Sequence, residues 1–333
     1  NAQSVSLAEA TSDSQTRGST TLDERVNYMR NAVKAVVDAY DGTVNMYAWD
    51  DTDPILKAYS GAFPDVVKPK SAVSPDLLAH LRYPSDLFKV QRQLLARYHM
   101  TDPGSWYQQS DLWEVPSDPT PGNSNAKEPA YYLTIRWPKE SQAAFSLTGV
   151  FVPKGRQNLA AYLAVNADAA SPDYGKLRVL RMSGSYQIDG PGQTFNQITT
   201  DPRVAQIMRN YTQGSSEGKY GNLLTLPVGG GLLYVQPIFA VRSGTTSSYP
   251  VLTYIAARFG QHVGIGTTLQ EALDQVFAGD AGASTGELPA GTPTTPTGPT
   301  APTTPTTPTT PTGQVDQAAA NAALDAASEA MTA

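Results

Sequence analysis

Apolar and polar positions alternate from Val33 onward. Val33, Ala35, Val37 and Ala39 fall on one side of an extended chain, and Lys34, Val36, Asp38 and Tyr40 on the other. This predicts a strand with one apolar and one mixed face. Asp41-Gly42 follows, a dipeptide favoured in two-residue hairpin turns because their central residues need positive φ. Val44, Met46, Ala48 and Trp49 supply the return strand. Asp53-Pro54 then predicts a helix, with Asp53 as N-cap and Pro54 in the first helical position. Ser74-Pro75 and Asp102-Pro103 repeat the device, the first opening a short helix through His80. Leu87, Val90, Leu94 and Tyr98 sit at helical spacing, widened by Phe88 and Leu95, while Lys89, Arg92 and Arg97 fall on the other side.

Beyond a Pro- and Asn-rich break at 116–129 the pattern turns to strands. Tyr131 to Trp137 and Ala144 to Val152 read as a pair; "RQNLAAYLAV" reads as a helix and "GKLRVLRM" as a strand. "DPRVAQIMRNY" predicts a helix capped by Asp201. "GNLLTLPV" and "LLYVQPIFAV" predict a hairpin around Gly229-Gly230-Gly231, and "VLTYIAARF" another strand. "TLQEALDQVF" predicts a helix, with Thr268 and Glu271 in capping-box spacing. Helices interspersed with strand hairpins predict an α+β fold with mainly antiparallel sheets.

The patterned region spans 22–279, with subdomains at 22–120 and 130–279. Residues 1–21 are polar and unpatterned and predict a disordered segment. At 280–313, prolines recur every three or four residues among Thr and Gly. This predicts an extended linker, because a polyproline helix has three residues per turn. Residues 314–333 are an Ala-rich helix former without a closing cap signal, so that helix reads as truncated. The chain opens on Asn1-Ala2 with neither methionine nor signal peptide. Both ends therefore read as cuts from a longer protein.

Composition narrows the function classes. Charged residues are 16% and net charge is -6; no basic field attracts a phosphate backbone, so nucleic acid is not an expected partner. The chain has no cysteine, which removes disulfides, Cys-ligated zinc and thiol catalysis. No apolar run approaches the roughly 20 residues of a spanning helix. Seventeen tyrosines and four tryptophans suit either sheet packing or an interaction face.

Candidate chemistry is sparse. Asp38, Asp41, Asp50, Asp51 and Asp53 crowd sixteen positions. Setting Gly42 at the sixth place of a calcium loop leaves Val37 first and Ala48 twelfth, so that motif fails. An irregular cation site at Asp50, Asp51 and Asp53 stands against the plainer reading of a turn plus a helix cap. "GSSEG" matches G-x-S-x-G around Ser216, but with a helix before and a strand after, the reverse of a nucleophile elbow. "GIGTTL" at Gly264 to Leu269 resembles an anion-cradling turn but lacks the third glycine; a turn into a capped helix explains it. His80, His99 and His262 are the only imidazoles, and none sits at metal-ligand spacing. No catalytic residue and no cofactor is nominated.

Several blocks of sequence carry a resemblance: "NYMRNAVKAVVDAYDGTVNMYAWD", "FPDVVKPKSAVSPDLLAHLRYPSDLFKVQRQLLARYHMTDPGSWYQQSDLWEVP", "YGKLRVL" and "GNLLTLPV". From Asn27 to about Phe277 the chain resembles an uncharacterised family of large bacterial multi-pass membrane proteins, common in actinobacteria. Members have several N-terminal transmembrane helices and a large domain outside the cytoplasm. The resemblance implies an extracytoplasmic fragment of a cell-envelope membrane protein, and no catalytic residues. The expected role is binding or assembly, with the parent's own transmembrane region or other envelope proteins as partners. The alternatives are an envelope hydrolase or transferase using Ser216 or a histidine, and a lipid- or sugar-binding receptor.

Overall fold

The computed structural model describes residues 4–16, 25–121, 126–182, 187–212, 216–242, 249–279 and 281. The linker and Ala-rich end foreseen beyond residue 281 lie outside them. The fold is α+β, and its sheets are mostly antiparallel. No helix among the described residues is long and apolar enough to cross a membrane. The chain divides into two compact units, 1–193 and 194–333.

The first unit opens with β1 (Val5–Ser6), α1 (Leu7–Thr11) and β2 (Arg25–Val26), β1 and β2 pairing antiparallel. Part of the segment predicted to be disordered is thus folded. Next come β3 (Val33–Val37), β4 (Val44–Ala48), α2 (Pro54–Ala62) and β5 (Val67–Lys68). β4 pairs antiparallel with β3 and parallel with β5. The hairpin loop is longer than Asp41-Gly42 predicts. Asp38 N–H donates to the Thr43 carbonyl (2.9 Å) and Gly42 N–H to the Asp38 carbonyl (3.0 Å). Gly42 has φ +76, and Asp41 is not in the left-handed region, so one glycine suffices where a two-residue turn needs two such residues.

Then follow α3 (Pro75–His80), α4 (Ser85–Tyr98), α5 (Pro103–Gln108), β6 (Trp113–Glu114), β7 (Tyr131–Arg136), β8 (Ala143–Pro153), β9 (Ala161–Asn166) and β10 (Leu177–Arg181). β8 is the organising strand. It pairs with β9 along one edge and with β7 and β6 along the other, and β10 pairs with β9. The helix predicted over "RQNLAAYLAV" is therefore β9 with its lead-in. Ala161 to Val165 are all buried. A strand covered on both faces reads as one continuous apolar run, which periodicity cannot separate from a buried helix. β7 and β8 join the sheet that α4 covers, so the break at 116–129 is a loop within the first unit, which runs to Gln193.

Phe88 of α4 packs with Leu147, Phe151 and Leu163 of the sheet, each with no exposed surface. The same helix also buries Lys89 and Arg92, which helical spacing assigned to the solvent side. Lys89 Nζ lies 2.6 Å from Asp13 Oδ2 and donates to the Thr11 carbonyl (3.1 Å). Burial alone would raise the Asp13 carboxyl, but the Lys89 hydrogen bond and charge outweigh it and hold it below its ordinary range. Arg92 lies over Gly149 of β8, where a Cβ would come within 3.0 Å of Nη1. Burial pushes Arg92 down to about 10 and the nearby Glu128 carboxyl up to about 8, their mutual attraction opposing both shifts.

α6 (Pro191–Thr200) crosses the boundary between the units, and α7 (Pro202–Thr212) follows. The second unit's sheet has β11 (Ser216–Tyr220), β12 (Leu224–Val228), β13 (Gly231–Arg242), β14 (Val251–Phe259) and β15 (His262–Gly266), all antiparallel. α8 (Leu269–Val276) closes it, packing Ala272, Leu273 and Val276 against Ala257 and Phe259.

Glu128 is neutral in the fold up to near pH 8 but ionises near 4.5 when unfolded. Stability from this group is therefore full below about pH 4.5 and declines up to about pH 8. Thermal melts should show Tm falling between about pH 5 and 8, and Glu128→Gln should flatten that slope. An unchanged slope in the variant would remove Glu128 as its source.

Candidate functional site

The hairpin turns its apolar side outward. Val33, Ala35 and Val37 are exposed, while Lys34 and Val36 point inward. Opposite them Val44 is exposed and Tyr47 is buried. The inward lysine has partners: its Nζ donates to the Arg82 carbonyl (3.2 Å) and lies 5.4 Å from the Trp49 ring centroid, which Lys70 approaches to 4.3 Å. Trp49 in turn meets Tyr174 edge-on at 5.6 Å. Burial lowers the Lys34 ammonium below its ordinary value.

Helix α2 extends this outward face. Leu56 is buried, whereas Ile55, Tyr59 and Phe63, four residues apart on one stripe, are exposed. Tyr59 is 62% exposed, Phe63 57% and Tyr40, in the hairpin loop, fully exposed. Between helix and hairpin lies a groove of about 210 Å³, lined by Val33, Met46, Ile55, Tyr59, Phe63 and Val67 among others.

The aspartates fix the start of α2. Asp53 is 1% exposed and accepts from Leu56 N–H (2.7 Å), as an N-cap does. It also accepts from the Tyr28 hydroxyl and lies 3.7 Å from Arg30 Nε. Asp50 pairs with Arg30 Nη2 and accepts from the Thr52 hydroxyl (2.6 Å). The Tyr28 bond leads in holding the Asp53 carboxyl below its usual range, and the Thr52 hydroxyl leads at Asp50. Two of the three aspartates weighed as a cation site thus converge on a guanidinium, and Asp51 stands exposed beside them. Among the described residues, no three carboxylate or imidazole groups cluster as metal ligands.

The other nominated residues are dispersed. Ser216 opens strand β11 opposite Arg242, and Gly214 and Ser215 of its motif lie outside the described residues. His262, the histidine of the same unit, opens β15 opposite Phe259, which faces Leu233. Nine steps along β13 separate Leu233 from Arg242, about 30 Å at strand rise, so Ser216 and His262 do not meet. His80 bonds the Asp76 carbonyl through Nδ1 (2.7 Å) at the end of α3. His99 stacks on Trp113 at 3.5 Å and its Nε2 lies 3.4 Å from Asp111 Oδ2. In "GIGTTL" the glycines make room for a helix: a Cβ on Gly264 would lie 2.0 Å from the Ala272 carbonyl oxygen. The helix entrance is occupied by the chain's own anion, since Glu271 Oε2 accepts from Thr267 N–H (2.8 Å).

The model of an uncharacterised protein family, UPF0182, matches residues 5–211. A UPF0182 protein of Paenarthrobacter aurescens (strain TC1) is 50% identical over 299 residues, covering 86% of this chain and 30% of its own. One from Thermobifida fusca (strain YX) is 49% identical over 280 residues, covering 83% and 28%. UPF0182 protein Lxx09300 of Leifsonia xyli subsp. xyli (strain CTCB07) is 48% identical over 294 residues, covering 85% and 30%. The chain spans under a third of the length of these curated relatives. No solved structure matches.

The aspartates are separable by mutation. Asp53→Ala removes the α2 cap and strands Tyr28 and Arg30, so it should lower Tm clearly. Asp51→Ala should leave Tm unchanged, and neither variant should alter a calcium titration followed by calorimetry.

Proposed function

The chain belongs to the UPF0182 family, and from that premise we propose that it is the extracytoplasmic domain of a cell-envelope membrane protein, working as an assembly module. Its contact surface is the outward face of β3–β5 and α2, and the occupant is the rest of the parent polypeptide, including its transmembrane region. The observation that supports this most directly is the stripe Ile55, Tyr59, Phe63, exposed beside an apolar sheet face. Aromatic residues at the centre of such faces supply most of the energy of association. The chain covers 30% of the length of the relative from Paenarthrobacter aurescens, so most of a protein of that size lies elsewhere to provide a partner. A Ser–His hydrolase is not favoured, because strand register separates Ser216 from His262.

In a full-length parent, amides of residues 54–67 should exchange hydrogen more slowly than in the 333-residue chain. Tyr59→Asp combined with Phe63→Asp should erase that difference while leaving the far-ultraviolet dichroism of the chain intact. Equal exchange in chain and parent would refute the proposal.

A further inference from the structure

The C-terminal end of α4 holds a histidine between two hydrogen-bond acceptors. His99 caps the helix, and its side chain is 7% exposed. The ring stacks on Trp113, the first residue of β6, with centroids 3.5 Å apart and an interplanar angle of 14°. Nδ1 lies 3.0 Å from the Leu95 carbonyl oxygen, one turn back along α4. Nε2 lies 3.4 Å from Asp111 Oδ2 and makes no hydrogen bond.

These two neighbours decide how many protons the ring needs. A carbonyl and an ionised carboxylate have no hydrogen to give, and a neutral imidazole has a single N–H. With that hydrogen on Nδ1, Leu95 is satisfied and two lone pairs face each other at Nε2. With it on Nε2, the same conflict moves to Nδ1. Only the doubly protonated ring donates on both sides, and its bond to Asp111 is then charge-assisted. A helix C-terminus also favours a cation.

Asp111 is a junction. Its Oδ1 accepts from Trp113 Nε1 (3.2 Å) and its Oδ2 from Arg181 Nη2 of β10 (2.9 Å). Arg181, which lies over the Trp113 ring at 5.3 Å, is the cation that opposes charge on His99. The other charged groups of these segments are Arg97 on α4, Glu114 of β6, which accepts from Gly155 N–H (3.1 Å), and Lys154, exposed past the end of β8. β6 has two residues and pairs with β8 only at Trp113 and Glu114, so its entry depends on what Asp111 holds.

We propose that His99 is an acid-set clasp. Protonated, it bonds Asp111 and ties the end of α4 to the entry of β6 and, through Arg181, to β10. Deprotonated, it turns an acceptor on Asp111 and releases that entry. Imidazole changes charge between about pH 5 and 8, so the clasp closes as pH falls through that window.

The test uses the 333-residue chain. Proton NMR follows the histidine rings from about pH 5 to 9, with the exposed His80 and His262 as references. His99 should titrate in this range, and indole emission should fall in step as the ring stacked on Trp113 gains its proton. Asp111→Asn should lower the His99 midpoint by about one pH unit, because the anion is gone and the amide offers Nε2 a donor. One unit corresponds to about tenfold in the opening equilibrium. Amides of 112–114, corrected for the intrinsic effect of pH, should therefore exchange about tenfold faster on the basic side of the midpoint. That step should vanish in Asp111→Asn. His99→Phe keeps a ring on Trp113 and should exchange at the fast rate throughout. If His99→Phe unfolds, Asp111→Asn carries the comparison, since Asp111 is half-exposed. A His99 that does not titrate in the range, a midpoint unmoved in Asp111→Asn, or equal exchange on both sides of the midpoint overturns the proposal.

Discussion

Helix α4 brings two cationic side chains into the same interior as Phe88, and much of the first unit is arranged around that fact. An ion moved out of water costs several kcal/mol even after relaxation, so Lys89 and Arg92 dictate what packs beside them. Asp13 reaches Lys89, which is why a polar N-terminal stretch folds over the helix. Glycine at 149 leaves the gap that the Arg92 side chain fills. The loop from 116 onward returns Glu128 and Asp118 to the same region and is tied across itself, Asp118 N–H to the Ala126 carbonyl and Glu128 N–H to the Pro116 carbonyl. Segments that look like loose ends are there because α4 needs them.

The same unit solves the opposite problem at its hairpin. An amphipathic strand has one inward face, and here the inward place goes to Lys34 with Tyr47, beside Trp49 and Tyr174. The lysine stem packs among rings while its ammonium finds a carbonyl and a π-face. The purely aliphatic side is left outside, joined by the stripe of α2. A sheet built this way leaves apolar side chains on its outer face.

Local chemistry was legible in the sequence; long-range chemistry was not. The caps at Asp53, Ser74, Asp102, Asp201 and Thr268 each accept a hydrogen bond from the start of the helix they precede. Cap chemistry depends on neighbours two or three residues away. The antiparallel pairs β7–β8 and β12–β13 were equally visible. Helical spacing put Arg92 on the polar side, because a periodicity argument cannot foresee that a distant glycine will admit a guanidinium. Asp50 and Asp53 were visible, but Arg30 and Tyr28, more than twenty positions upstream of Asp53, were not: an ion pair across a chain reversal leaves no spacing pattern. For the hairpin, the alternation itself was correct, while the length of its loop and the direction of its apolar side were hidden. That direction was set by Trp49, Tyr83 and Tyr174, which come from three separate parts of the chain.

The division at Gln193 has an optical consequence. All four tryptophans, Trp49, Trp106, Trp113 and Trp137, precede it. The second unit absorbs through tyrosine and phenylalanine alone. Indole emission therefore reports the first unit by itself without any label, whereas tyrosine absorbance comes from both units.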